Sequence, residues 1–211
     1  TSYVVARTEA EKEAIYRLRY RAYLKEGAIE PNETRMLRDA FDEQPNVCSI
    51  AMRYDDHLVG AIRINMISRN ERRSSAGVTF PDLLAPYLDA GEFICDPNRF
   101  VAEPAIADRI PELPYLVSRM AIISALHFGA RYGLATPRAE HYAFYRRVLL
   151  AQTLSTPVMY PGLTKAIGLM IQETAVAAAY VQTRYPFMAP RPNEGKDVFG
   201  DLDLRCPADV G

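Results

Sequence analysis

The sequence has no tryptophan and only three cysteines, Cys48, Cys95 and Cys206, which are widely separated. An odd, scattered set of thiols excludes a disulfide framework and suits a reducing compartment, so a cytoplasmic location is expected. His57, His127 and His141 are not clustered, and neither CxxC nor HExxH occurs, which argues against a structural metal. No apolar run approaches the length of a transmembrane helix, and the first residues lack the basic-then-apolar pattern of a signal peptide. Neither sign of charge dominates: 25 Lys and Arg stand against 26 Asp and Glu. No global field therefore draws the chain to nucleic acid or to anionic lipid. Internal repeats and low-complexity tracts are also absent.

What remains is 211 residues, 49% of them hydrophobic, enough for one sizeable domain with its own core and short for two. The most unusual stretch is Phe93-Ile94-Cys95-Asp96-Pro97-Asn98-Arg99-Phe100-Val101. It reads as a buried strand with an acid, a proline and an arginine set into it, and buried charges need a partner or a task. On a regular strand Asp96 and Arg99 face opposite sides. One extra residue at Pro97 brings both to the same face, as bulges beside active sites do. An internal Asp96–Arg99 ion pair accounts for the same residues.

Taken in order, Ser2 to Arg7 reads as a strand and Thr8 to Glu26 as a helix opened by a Thr8/Glu11 capping box. Arg19 falls on the helix's apolar stripe with Ile15, Leu18 and Ala22, where it either finds a carboxylate or snorkels at the stripe's edge. Residues 27–46 form a long loop containing Asp39 and Asp42, two acids on one side of a helical turn. Val47 to Tyr54 and Leu58 to Ile67 make a hairpin. In its second strand Arg63 shares a face with Val59, Ala61 and Asn65. Residues 68–77 read as loop, and Phe80 to Leu88 as a short helix. The strand with Asp96 follows, from Glu92 to Ala102, and then a linker over 103–112. Pro114 to Tyr132 is a long helix, apolar nearly all round and stopped by Gly133. A strand at 134–138, a helix at 141–149, strands at 152–159 and 166–172 and a helix at 174–183 complete one domain over residues 1–184. Residues 185–211, rich in proline and mixed charge, are expected to form an irregular tail.

This order of elements resembles an α+β domain of the acetyltransferase (GNAT) kind: a central twisted, mixed, mostly antiparallel sheet of about seven strands flanked by helices. Several residues narrow the resemblance: Arg19 four before Tyr23, Asp39-x-Phe-Asp42, Arg63 in Val-Gly-Ala-Ile-Arg, and Asp96-x-x-Arg99-Phe100. In this spacing they are similar to LuxI-type acyl-homoserine-lactone synthases and more so to N-acyl amino acid synthases of the FeeM type. The resemblance covers about residues 15 to 170. It implies transfer of a fatty acyl group from an acyl carrier protein thioester to an amine, with no tightly bound cofactor. The donor would be the acyl-phosphopantetheine of the carrier, or acyl-coenzyme A. Three departures bear on the product and donor. The signature acid is aspartate rather than glutamate, and the tryptophan common near the first helix is absent. Ala105 to Leu113 also replaces a glycine-rich phosphate loop. The first two turn the expectation away from a lactone, and the third favours carrier protein over coenzyme A.

On this resemblance Asp96 is the expected base, directly or through one water, or else merely neutralises Arg99. Arg19, Asp39, Asp42, Arg63 and Arg99 are expected to tie the loop to the sheet and either hold the acceptor's carboxylate or only anchor the loop. Tyr145 is placed as a general acid for the leaving thiolate or as a packed aromatic. Leu116, Met120, Ile123 and the aromatics of 142–145 either line the acyl slot or are ordinary core. Cys95 is a weak candidate nucleophile, with no histidine at a telling spacing. Arg109, Arg119, Arg131, Arg138, Arg146 and Arg147 are candidate docking residues for an acidic carrier protein. An S-adenosylmethionine-dependent lactone synthase and a non-catalytic lipid-binding protein are the alternatives.

Overall fold

The computed structural model describes residues 1–107, 109–206 and 208. The first strand, β1 (Ser2–Val5), leads into α1 (Glu9–Lys25) through the expected capping box: the Thr8 side chain accepts from the Glu11 N–H while Glu11 accepts from the Thr8 N–H. The hairpin β2 (Val47–Tyr54) and β3 (His57–Ile67) follows the long loop. Next come α2 (Ser75–Thr79), α3 (Pro81–Asp89), β4 (Ile94–Ala102), α4 (Pro104–Ala107) and α5 (Leu113–His127). The chain continues with β5 (Tyr132–Ala135), α6 (Tyr142–Leu149), β6 (Gln152–Thr153), β7 (Met170–Glu173), α7 (Thr174–Arg184) and α8 (Glu194–Phe199).

Seven strands form one sheet in the order β1-β2-β3-β4-β5-β7-β6. Every neighbouring pair is antiparallel except β4 with β5, which is parallel. Helix α1 covers one face: Ile15, Leu18 and Ala22 pack on Ala51, Ala61 and Val101. Helix α5 covers the other, where Val117, Met120 and Ile123 meet Ile50, Ile62, Ile64 and Met66. Each such fully buried aliphatic side chain contributes about 1.5–3 kcal/mol. At Gly60 a Cβ would stand 2.8 Å from Val117 Cγ2, so the close seating of α5 on β3 depends on that glycine.

Several expectations need correction. The bulge in β4 lies at Arg99–Phe100, not at Pro97. Pairing with β3 jumps from Asn98↔Arg63 to Val101↔Ala61, and Arg99 takes φ 50°. Val59 does not share Arg63's face; the β2–β3 register slips between Met52 and Arg53, and Val59 joins the core under α5. Helix α5 stops at His127 because Gly129, at φ 72°, reverses the chain, while Gly133 sits inside β5. The expected strands over 152–172 are mostly irregular, with short β6 and β7 and one bridge, Val158↔Ile167, between them. The loop expected over 68–77 contains the start of α2, capped by Ser74. The segment after residue 184 is not wholly irregular: it holds α8, whose Phe199 is fully buried under α5 with Leu204. Its remaining residues, 207 and 209–211, lie outside the described residues.

Candidate active site

The site follows from a fault in the sheet. Strands β4 and β5 pair only at Ile94↔Tyr132 and Cys95↔Gly133. Beyond Cys95 comes Pro97, which has no N–H to donate, and the two strands part. A cavity of about 600 Å³ opens at this split. Ala22 and Tyr23 of α1, Phe100 to Ala102 of β4, and Phe144 and Tyr145 of α6 form its walls. Tyr160, Leu163 and Ile167, from the chain between β6 and β7, roof it. That roof is stapled to the end of α1: the Thr164 N–H donates to the Ala28 carbonyl at 3.0 Å and its hydroxyl to the Gly27 carbonyl at 2.6 Å.

At one side of the cavity lies the charge cluster. Arg19, fully buried, reaches Asp42 at 2.7 Å and Ser49 at 2.9 Å, so it is paired rather than snorkelling. Arg63, also fully buried, meets Asp39 at 2.6 Å and Asp42 at 3.1 Å, and donates to Asn98 and Ser75. Arg99 meets Asp39 through Nη2 at 2.5 Å and Nε at 3.2 Å. The two aspartates belong to a 3₁₀ turn, Ala40–Glu43, in which Asp39 and Asp42 cap each other's backbone. The long loop is thus fastened to β3 and β4 through its own capping groups. Burial opposes the charge on Asp39, but the bonds and charges of Arg63 and Arg99 win and hold its carboxyl well below the usual range. Burial likewise opposes the Arg99 charge, and Tyr23, Asp39 and Tyr160 raise it above its ordinary value. The Arg99 guanidinium lies 5.7 Å from the ring centres of both Tyr23 and Tyr160.

Asp96 stands one layer back. It is fully buried and does not line the cavity, although Pro97, Asn98 and Arg99 beside it do. The displaced bulge brings Arg99 to the side of Arg63 and Asn98, yet no Asp96–Arg99 ion pair forms, because Arg99 takes Asp39 instead. Asp96 Oδ2 accepts from the Ala76 N–H at 3.1 Å, while Oδ1 has no partner among the described residues. Burial pushes its pKa up, against the nearby Ser74 and Asn98 side chains, the Ala76 N–H and the Arg63 charge. Tyr145 faces the cavity, and burial pushes its hydroxyl up to about 12, so it stays protonated at neutral pH.

Leu116, Met120 and Ile123 do not line the cavity. They pack in the core on the α5 side, because that helix presents this face to the sheet. Tyr142 is also outside the lining, its ring against Gly168. Cys95 lies in the same core as α5, and burial raises its thiol well above the ordinary range, which leaves no nucleophile. Arg119 is not a surface docking residue; it is buried against Glu194. Arg138 lines the cavity mouth, held by Glu26 and Glu140. Sequence reasoning missed Asn65, Asn98, Ser75 and Tyr160. The two asparagines carried the same signal as Arg63, a polar residue inside an apolar strand.

The sequence profile of the family described as N-acyl amino acid synthase FeeM matches residues 14–172. No curated protein sequence is significantly similar to the chain. Among solved structures, the N-acyl amino acid synthase FeeM from uncultured soil microbes superposes with a TM-score of 0.69 at 14% identity, covering 84% of this chain and 93% of that one. The coenzyme A-dependent acyl-homoserine lactone synthase BjaI gives 0.64 at 15% identity, covering 90% and 91%. An N-acetyltransferase candidate from Lactobacillus plantarum gives 0.56 at 14%, covering 82% and 97%. These likenesses place the sheet and its split among GNAT-like folds. The profile match spans most of the chain, and on it the protein is an N-acyltransferase belonging to the FeeM family of N-acyl amino acid synthases.

Proposed function

We propose that this enzyme transfers a long-chain fatty acyl group from the phosphopantetheine thioester of an acyl carrier protein to the amine of an amino acid, releasing an N-acyl amino acid. The observation that carries this reading is the cavity at the β4–β5 split, with apolar walls and an arginine-rich cluster along one side. A carrier-bound donor is favoured over coenzyme A because α4 and its flanks occupy the place of a glycine-rich phosphate loop. A cytoplasmic setting goes with such a donor.

The thioester carbonyl needs polarising, the amine needs a base and the thiolate needs a proton. A bulge leaves one residue of β4 outside the pairing at Arg99–Phe100, on the cavity wall, and its backbone amide is suited to the carbonyl oxygen. Asp96, whose raised pKa makes it a better proton acceptor, acts on the amine through a relay rather than by contact, since it lies behind the wall. Tyr145, protonated and facing the cavity, supplies the proton to the thiolate. Arg19, Asp42, Arg63 and Asp39 hold the loop and Arg99 in place, and Tyr23 and Phe100 flank the acyl thioester.

A second reading, synthesis of an acyl-homoserine lactone from S-adenosylmethionine, is favoured by the likeness to BjaI. Incubation with acyl-carrier thioester and either a pool of amino acids or S-adenosylmethionine, followed by mass spectrometry, separates the two. An N-acyl amino acid is expected. A lactone, or no acylated acceptor at all, overturns the proposal.

A further inference from the structure

Asp96 lies behind the cavity wall, so a proton that it takes from a substrate has to cross a neighbour. The register of β3 and β4 sets Arg63 opposite Asn98 and Asn65 opposite Asp96, a square of buried polar side chains on one face of the sheet. Asn98 ties the square together. Its Oδ1 accepts from Arg63 Nε at 2.6 Å, and its Nδ2 donates to Asn65 Oδ1 at 3.1 Å and to the Asp96 carbonyl at 2.9 Å. Asp96 Oδ1 and Asn65 Nδ2 are left over, with no partner among the described residues. One accepts and the other donates, and their residues face each other across the strands. A buried water between such groups is the usual remedy.

Three residues close to Asp96 reach the cavity wall: Pro97, Asn98 and Ser75. The proline ring exchanges no proton, and the Asn98 amide is committed at both ends. Ser75 is different. Its hydroxyl oxygen accepts from Arg63 Nη2 at 2.9 Å, which leaves its own proton to give, and no acceptor for that proton occurs among the described residues. Bonding to a cation makes the hydroxyl a stronger donor. The residues on either side of Ser75 border the carboxylate: the Ala76 N–H holds Asp96 Oδ2 at 3.1 Å, and the Ser74 side chain lies nearby. Ser75 therefore spans the wall, with the cavity on one side and Asp96 on the other.

We propose that Ser75 carries the proton between the substrate amine and Asp96. As the neutral amine attacks the thioester carbonyl, the N–C bond forms, the N–H bond breaks and its proton passes to Ser75 Oγ. The hydroxyl proton of Ser75 passes in turn, through one water seated between Asp96 Oδ1 and Asn65 Nδ2, to the Asp96 carboxylate. Ser75 ends as it began, and Asp96 holds the proton as the neutral acid until the same path returns it to solvent. The inference rests on the reading of the protein as an N-acyltransferase with Asp96 as its base, and it adds the route by which that base is reached.

The test is single-turnover acylation of a pool of amino acids from acyl-carrier thioester by the full chain, read by mass spectrometry. Ser75→Ala should slow the reaction by at least about tenfold, whereas Ser75→Thr, which keeps the hydroxyl, should stay within about threefold of wild type. Ser75→Val, matched in shape to the threonine but without the hydroxyl, should fall with the alanine. In the Asp96→Asn background Ser75→Ala should cost nothing more, because one route cannot be cut twice. Effects that multiply would show Ser75 acting elsewhere in the reaction and overturn the route. Ser75→Ala at the wild-type rate overturns it too and leaves acyl transfer standing. A wild type that acylates no acceptor overturns both. A crystal structure of the wild type gives a check that no variant's folding can spoil: a water bridging Asp96 Oδ1 and Asn65 Nδ2 is expected, and a direct bond between those atoms overturns the route.

Discussion

Two buried arginine clusters in this molecule look alike and serve different ends. On the α5 side, Arg119 meets both oxygens of Glu194 at 2.5 Å, and the same guanidinium donates to the Ala189 carbonyl. The exposed Arg191 joins Arg119 on the same carboxylate, every oxygen is taken, and neither Arg119 nor Glu194 lines the cavity. The pair pins α8, and with it Phe199, beneath α5. On the α1 side, Arg19, Arg63 and Arg99 are tied to Asp39 and Asp42, and the Arg99 residue borders an open cavity. A set of charges closed off from any cavity reads as a fastening. A set that borders empty space reads as a place for a ligand.

The comparison is open to attack at several points. Arg119→Met should destabilise the fold by about 3–5 kcal/mol in urea titration, because it strands the Glu194 carboxylate. The specific activity of the protein that still folds should be unchanged. The same fastening should show in acid. Burial alone would raise the Glu194 pKa, but bonds from Arg119 and from the Arg191 N–H hold it at about 2, below its ordinary 4.5. Its folded value is the lower one, so its contribution, roughly 3 kcal/mol, is complete above the ordinary value and is lost as pH falls toward the folded one. Unfolding free energies of wild type and Glu194→Gln should therefore converge on acidification over that window; parallel curves would contradict the assignment.

At the cavity the effects should fall on rate. Asp96→Asn should lower kcat by about 100-fold or more with little change in Tm, since asparagine keeps an acceptor for the Ala76 N–H. Unchanged turnover would remove Asp96 from the chemistry. A double-mutant cycle of Arg19→Ala with Asp42→Ala should give a coupling of about 1–3 kcal/mol, and additivity would separate the loop from the helix. Tyr145→Phe should cost the least, about tenfold in kcat, because water can replace its proton donation to the thiolate.

Much of this was legible in the chain. A charge inside an apolar pattern is a strong signal, and Arg19 and Arg63 were found by it; the Asp39/Asp42 pair was read from its spacing within a long loop. The same logic marked Asp96 and Arg99 and suggested a bulge. It misplaced the bulge because proline suggests a local break, whereas the kink came from Arg99 adopting a left-handed backbone. The acyl-lining assignment failed for Leu116, Met120 and Ile123 because a helix apolar nearly all round does not disclose which face meets the sheet. The end of α5 was placed at Gly133, four residues too late, and only the pairing of β5 with β4 and β7 puts that glycine inside a strand. Asp96's hydrogen-bond partner Ala76 and its neighbour Ser74 come from a stretch that reads as ordinary loop, brought close only by the fold.

The most direct test is a crystal structure with an N-acyl amino acid bound. The account predicts the fatty chain in the β4–β5 split beside Phe100 and Phe144. A chain seated outside that split would contradict it.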